Sequence, residues 1–310
     1  MSVGRNIPLW LPDGEIAHEL GAAMDGYAAE VWTGGDFPAN AGEVEVVVLP
    51  LLYTRPRLGE LRRLPRLRLV QTQSAGVDKV TPHVPPGAVL CSAKGANDTS
   101  TAEWVLAALL ADARELPRRF ADQQEGRWRP TFTSTLAGKT VLLVGYGSIA
   151  KAVEQRLAGF EVEIVRVARG ERPGVHAATA LPALLGQADA VVLLAPLTDE
   201  TRGLVDAEFL GRMRDGAVLI NAARGELVVT EAFLEEARRG RLRGVLDVTD
   251  PEPLPADHAL WSTPGVIVTP HIAGATHLMR PRVVRLIGAQ LARYRDGAPL
   301  ENVVPRGQPA

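Results

Sequence analysis

Short apolar runs alternate along the whole chain with longer stretches whose apolar positions recur every three or four residues. That alternation predicts strands and helices in turn, the pattern of an α/β fold built on parallel sheets. In the first hundred residues IPLWLP, AEVWTG, VEVVVLP, LRLVQTQ and AVLCSAK read as the strands of one small α/β unit. NDTSTAEWVLAALLADAREL then predicts a long helix, opened by a capping box of Ser100 and Glu103 and stopped at Pro117. The polar, turn-rich stretch from Asp122 to Ala137 reads as a connecting excursion rather than a helix. From Lys139 a second series predicts six strands, TVLLVG, VEIVRVA, ADAVVLLAP, GAVLINAA, RGVLDV and GVIVTP, with helices between them. A dinucleotide-binding sheet requires that set. The last amphipathic stretch, VVRLIGAQLARYRDG, suits either series by periodicity alone.

The second series opens on TVLLVGYGSIAKAVEQRLAGF, which sets Gly145, Gly147 and Ala150 as G-x-G-x-x-A between an apolar strand and a helix. Gly145 permits the tight turn and Gly147 lets the backbone approach a pyrophosphate, whose charge the helix N-terminus stabilises. Ala150 is small enough for close helix-to-strand contact, Ile149, Val153 and Leu157 share one helix face, and Gly159 is placed to end that helix. The neighbouring AGKT is not a P-loop, because Thr133 stands where its first glycine belongs. In VEIVRVARGERPG an acid for the ribose hydroxyls is missing: Glu161 and Glu163 come too early, and the strand ends on Ala168 and Arg169 with Arg172 close behind. Arginines there suit a 2′-phosphate, so the cofactor is predicted to be NADP(H) in preference to NAD(H).

Composition narrows the setting. At 310 residues the chain exceeds what one core usually supports, which predicts two domains of about 100–200 residues. Thirty-four basic against 36 acidic residues give a net charge of -2 with no basic block, which argues against nucleic acid or an anionic membrane as partner. The single Cys91 forms no internal disulfide and no cysteine-based metal cluster, and no metal is expected. The opening MSVGRNIPLWLPDGE carries a proline and an acid where a signal peptide needs an unbroken apolar run, and no stretch reaches the roughly 18 apolar residues of a membrane span. A cytoplasmic protein is expected.

Three short pieces follow strands of the second series: NAARGELV with Arg224, LDVTDPEP with Asp247 and Glu252, and VTPHIAG with His271. Open α/β sheets bind ligands at the C-terminal ends of their strands. Taken together with SAGVD at 74–78, TAEW at 101–104, VGYGSIA at 144–150, APLTDETRGLV at 195–205 and PADHALWSTPGVIVTPHIAG at 255–274, the chain resembles the D-2-hydroxyacid dehydrogenase family over nearly its whole length. Its flavour is nearest to the glyoxylate and hydroxypyruvate reductases.

The resemblance implies a fold class of two doubly wound parallel-sheet domains, with a Rossmann-type cofactor domain at 100–281 inserted into a flavodoxin-like substrate domain at 1–99 and 282–310. It makes His271 the acid/base, Glu252 its orienting carboxylate and Arg224 the substrate anchor. Reduction of a 2-oxo acid needs a proton at the carbonyl oxygen, and histidine titrates near the working pH. A neighbouring carboxylate stabilises the imidazolium, and a guanidinium fork suits a carboxylate as lysine would not. The resemblance further implies that Ser74, Ala75 and Gly76 hold the substrate carboxylate so that reaction occurs in the interdomain cleft. Asp247 then meets the nicotinamide carboxamide, and Thr201 lies along the cofactor with Ala195 and Pro196. Tyr146, Ser148, Ile149, Ala222 and Gly274 join Gly145, Gly147, Ala168, Arg169 and Arg172 as cofactor contacts. Leu51, Leu52 and Tyr53 are candidates for the substrate-pocket wall. A homodimer joined through the cofactor domain is expected on the same ground. His18, His83, His176, His258 and His277 match no catalytic position.

The function these residues predict is hydride transfer between NADP(H) and a small 2-oxo or 2-hydroxy acid, of the glyoxylate or hydroxypyruvate kind, with D stereochemistry. Formate dehydrogenases of the family replace the glutamate by glutamine, so Glu252 argues against that reaction. Phosphite oxidation uses the same Arg, Glu and His, and the triad leaves it open. A non-catalytic dinucleotide-sensing protein is the rival of another class; such members carry extra interaction segments, and the absence of an appended tail of useful length in these 310 residues leads to the expectation of an enzyme instead.

Overall fold

The computed structural model describes residues 6–51 and 57–305. The chain runs β1 (Ile7–Leu11), α1 (Gly14–Leu20), β2 (Tyr27–Val31), β3 (Val46–Val48), β4 (Leu69–Gln71) and β5 (Val89–Cys91). It continues through α2 (Asp98–Ala113), α3 (Leu116–Gln124), β6 (Thr140–Val144), α4 (Ser148–Leu157), β7 (Glu163–Ala168), β8 (His176–Ala177) and α5 (Leu181–Leu184). Last come β9 (Ala190–Leu193), α6 (Ala207–Arg212), β10 (Val218–Asn221), α7 (Thr230–Arg238), β11 (Arg243–Leu246), β12 (Val266–Val268) and α8 (Met279–Arg295). They form two compact units, one of Met1–Asn97 with His277–Ala310 and one of Asp98–Thr276.

The first unit holds a parallel five-stranded sheet in the order β2-β1-β3-β4-β5. Its strands β1 and β3 are apolar at every position because both faces are covered, and β4 departs from this only at its last residue, the buried Gln71. Leu9 and Leu11 point to the face where Ile16 and Leu20 of α1 meet Val283, Ile287 and Leu291 of α8. Trp10 points the other way, into a cluster with Trp32, Val47, Val70 and Leu90. The last helix therefore returns to the first unit. Its place is fixed by that apolar stripe, by the Tyr27 hydroxyl donating to the Leu291 carbonyl at 2.6 Å, and by Gln290 bonding Glu301 in the tail.

In the second unit a parallel seven-stranded sheet runs β12-β11-β10-β9-β6-β7-β8. The chain starts in the middle at β6, works outward to β8, then crosses to β9 and works outward the other way, so the order reverses between β6 and β9. Alternate residues again serve opposite faces: Leu142, Val191 and Leu219 pack with Phe209, Leu210, Phe233 and Leu234, while Val141, Leu143, Val192 and Ile220 pack with Val105, Leu109, Val153 and Leu157. The predicted Rossmann-type sheet is present, extended at its edge by the two-residue β8.

Three local expectations fail. The helix α2 begins at Asp98, so Ser100 lies inside it; its hydroxyl bonds the Thr276 hydroxyl at 2.7 Å, and exposed Glu103 faces Arg156 at 3.7 Å instead of closing a capping box. Pro117 does not end the helical region. A left-handed residue, Glu115 at φ 50°, breaks it, and Pro117 starts α3 in the first turn, where its missing N–H costs nothing. The excursion begun at Asp122 is thus helical as far as Gln124. Finally, α4 ends at Leu157 and the left-handed residue that follows is Glu161 rather than Gly159.

Candidate active site

At the C-terminal end of β12 the chain turns sharply, and His271 takes a left-handed backbone conformation with φ 54°. Such a conformation is uncommon for a residue with a side chain and persists only where neighbours fix it. Asp247, which follows β11 and is 2% exposed, supplies most of the fixing. Its carboxylate accepts from the Thr269 hydroxyl at 2.6 Å and from the backbone N–H groups of Ile272 and Ala273 at 2.8 Å each. Its carbonyl accepts from the His271 N–H at 2.7 Å. A buried carboxylate with this many partners is well satisfied and holds the turn rigid.

The imidazole so placed meets Glu252, with Nδ1 and Oε1 2.6 Å apart. Glu252 sits on the segment after β11, where the Thr249 hydroxyl donates to the Pro251 carbonyl and the Thr230 hydroxyl to the Asp250 carbonyl. His271 keeps 47% of its side chain in contact with solvent, so the ring is anchored at one nitrogen and open to a ligand.

Arg224 lies in the turn after β10. Buried Asn221 closes that turn, donating to the Arg224 carbonyl at 2.7 Å and accepting from the Ala223 N–H at 3.0 Å, and Arg224 Nη1 donates to the Ala223 carbonyl at 2.7 Å. Asn221 is a residue that sequence reasoning missed; a polar residue ending an apolar strand was its only signal. The next residue, Gly225, carries the chain so close to the 249–250 backbone that a Cβ there would stand 2.0 Å from the Thr249 carbonyl oxygen. The arginine turn and the glutamate segment therefore touch through bare backbone.

At the end of β6, Gly145 has φ 97°, and a Cβ on it would fall 2.3 Å from the Ala195 nitrogen. The tight turn and the close crossing of the 194–195 chain both require glycine. Gly147 caps α4 in extended conformation, and an added Cβ there would meet nothing within 4 Å, so the loop opens onto space. The first turn of α4, with Ser148 and Ile149, leaves N–H groups for an anion. Ala150 is fully buried against the sheet. Thr201 donates its hydroxyl to the Pro196 carbonyl at 2.7 Å and accepts from the Thr198 N–H, which knits the 196–201 turn beside Ala195. Ala222 and Gly274 are half-buried in the turns after β10 and β12.

Beyond β7, Ala168 is half-buried and Arg169 reaches Glu200 at 3.5 Å, both side chains more than half exposed. Arg172 bonds the Tyr146 carbonyl at 2.6 Å. Arg166 forks onto Glu154, whose carboxyl it holds below the usual range. Burial, and then the hydrogen bond to Glu154, raise the Tyr146 hydroxyl.

In the first unit, Ser74, Ala75 and Gly76 form the loop after β4, tied by the Thr72 hydroxyl to the Ser74 carbonyl and by the Ser74 hydroxyl to the Gly76 carbonyl. Leu51 is half-buried; Leu52 and Tyr53 lie outside the described residues. Among the described residues no His, Cys, Asp and Glu group could hold a metal ion, and no helix is long and apolar enough to cross a membrane.

Comparison with known proteins gives this geometry a family. Residues 106–273 match the model of the D-isomer specific 2-hydroxyacid dehydrogenase NAD binding domain. The glyoxylate reductase of Thermofilum pendens is 34% identical over 250 residues, 75% of this chain and 73% of that protein. The chain is also similar to D-3-phosphoglycerate dehydrogenases, where the match spans 43% to 47% of their length, about half. Among solved structures, a D-isomer specific 2-hydroxyacid dehydrogenase from Xanthobacter autotrophicus Py2 in complex with NADPH and MES superposes with a TM-score of 0.85 at 29% identity, covering 97% of this chain and 98% of that one. The NADPH-dependent glyoxylate/hydroxypyruvate reductase of Sinorhizobium meliloti, in complex with NADP and sulfate, has a TM-score of 0.84 at 27% identity over 98% of this chain and 100% of its own. The chain belongs to the D-isomer specific 2-hydroxyacid dehydrogenase family.

Proposed function

We propose that the protein is an NADPH-preferring reductase of small 2-oxo acids, of the glyoxylate or hydroxypyruvate class, giving the D-2-hydroxy acid where a stereocentre forms. The observation that carries this reading is the 2.6 Å contact between His271 Nδ1 and Glu252 Oε1, on a turn held by Asp247. With Nδ1–H engaged by the carboxylate, the imidazolium keeps its second proton on Nε2, directed away from Glu252. That proton goes to the carbonyl oxygen as it gains charge, and the carboxylate stabilises the cation until transfer.

Arg224 carries a planar array of donors that suits both the substrate carboxylate and the polarised carbonyl. The backbone of Ser74, Ala75 and Gly76 is assigned to the substrate carboxylate, and Tyr53 with Leu51 and Leu52 to the substrate side chain.

The residues of the second unit fit a dinucleotide. Gly147 leaves open space beside the N-terminus of α4, and β7 ends on Ala168 with Arg169 directly after it, where an NAD site would carry the acid that binds the ribose hydroxyls. Gly145 to Ile149 would hold the pyrophosphate, Arg169 and Arg172 the 2′-phosphate, and Ala195, Pro196, Thr201, Ala222 and Gly274 the remainder. Asp247 uses three of about four carboxylate lone pairs on the His271 turn, which leaves one for the carboxamide. The bound nicotinamide supplies the hydride. Two solved relatives hold NADPH or NADP, and one is a glyoxylate/hydroxypyruvate reductase, which supports the choice of cofactor and substrate class.

A homodimer through the second unit is the assembly we infer, supported by the large apolar side chains that this unit exposes, Trp128 and Phe132 at more than 90% and Phe120 at more than half. The buried free thiol of Cys91 suits a reducing compartment, and we place the protein in the cytoplasm. The test of the chemistry is His271→Ala, which should lower kcat about 10²–10⁴-fold. Unchanged turnover would exclude the acid/base role.

A further inference from the structure

We propose that Tyr146, anchored through Glu154, is a positioning residue for cofactor selection: its ring and carbonyl brace Arg172 for the 2′-phosphate of NADPH. The inference rests on the NADPH reading above and names the residue that makes the selection sharp.

Arg172 is exposed, yet two contacts tie it to the glycine loop. Its Nη2 donates to the Tyr146 carbonyl at 2.6 Å, and its guanidinium carbon lies 5.7 Å from the centre of the Tyr146 ring, a cation-π distance. The ring is fixed in turn, because its hydroxyl donates to Glu154 Oε2 at 2.5 Å. Arg166 Nε shares that oxygen at 2.9 Å, Arg166 Nη2 takes Oε1, and the Arg166 guanidinium lies 5.9 Å from the same ring. Glu154 and Arg166 cancel each other's charge. What the cluster adds to the loop is therefore the cation of Arg172, held by an aromatic side chain rather than by a carboxylate that would compete with phosphate.

Arg169 differs. It faces Glu200 across an exposed 3.5 Å gap, an ion pair that solvent screens and that an incoming phosphate must break. Arg172 pays no such exchange, and a group already held in place binds its ligand with less loss of side-chain entropy.

The experiment is fluorescence titration of NADPH and NADH into the full chain, for the wild type and for Tyr146→Phe, Tyr146→Leu and Tyr146→Met. The wild type should bind NADPH more tightly. Removing the ring in Tyr146→Leu and Tyr146→Met should cut the NADH-to-NADPH Kd ratio about fivefold, equivalent to about 1 kcal/mol. Tyr146→Phe keeps the ring and should retain most of the ratio. Equal weakening of both nucleotides in either ringless variant, as a purely structural role predicts, overturns the proposal, as does an unchanged ratio. A wild type with no preference refutes the NADPH reading itself, and is seen before any variant is made.

Discussion

The alpha carbon of Gly225 packs so closely on Thr249 that a methyl group there would lie 2.0 Å from the Thr249 carbonyl oxygen and 2.6 Å from the Asp250 nitrogen. Both clashes are with backbone, so no rotamer change relieves them. Gly225→Ala should separate the turn of Arg224 from the segment of Glu252, and a misplacement of about 1 Å can cost about 10²-fold in rate. Overpacking should also lower stability by about 1–3 kcal/mol. Steady-state kinetics with a denaturant titration would check both; wild-type kcat/KM in a folded variant would show that the contact does not align the site.

Asp247→Asn keeps the shape of the side chain but turns an acceptor into a donor against the N–H groups of Ile272 and Ala273. One buried donor is left facing another, which should cost about 1–3 kcal/mol. The left-handed turn at His271 loses its brace, so kcat should fall with stability. A variant as stable and as fast as the wild type would show that the turn holds itself.

The thiol of Cys91 is fully buried, and burial pushes its pKa up to about 11. The reactive thiolate is scarce in the folded protein at pH 8, so a thiol reagent should label the chain only as fast as it opens. Labelling should become rapid above the unfolding midpoint in denaturant. Stoichiometric labelling within seconds in native buffer would contradict the buried placement.

The sheets and the glycine loop were legible in the sequence because their signals are local. IPLWLP and TVLLVG are apolar at successive positions, as strands covered on both faces must be, and Gly145 and Gly147 stand directly between strand and helix. What could not be read depends on distant partners. Ser100 looks like a cap in its own neighbourhood, yet its hydroxyl bonds Thr276, 176 residues away. Pro117 looks like a stop, yet the break is made two residues earlier by the left-handed Glu115. Nothing in ARGEL reveals that Thr249 will pack on Gly225, nor in LDVTD that the Asp247 carboxylate will gather three donors from the histidine turn.

The most direct test of the central claim is the initial rate of NADPH and then NADH oxidation across a panel of 2-oxo acids from glyoxylate to phenylpyruvate, with His271→Ala beside the wild type. The account predicts turnover that favours NADPH and the smaller acids and that collapses in the variant. Tight nucleotide binding with no turnover on any acid, or turnover that survives the loss of His271, would contradict it.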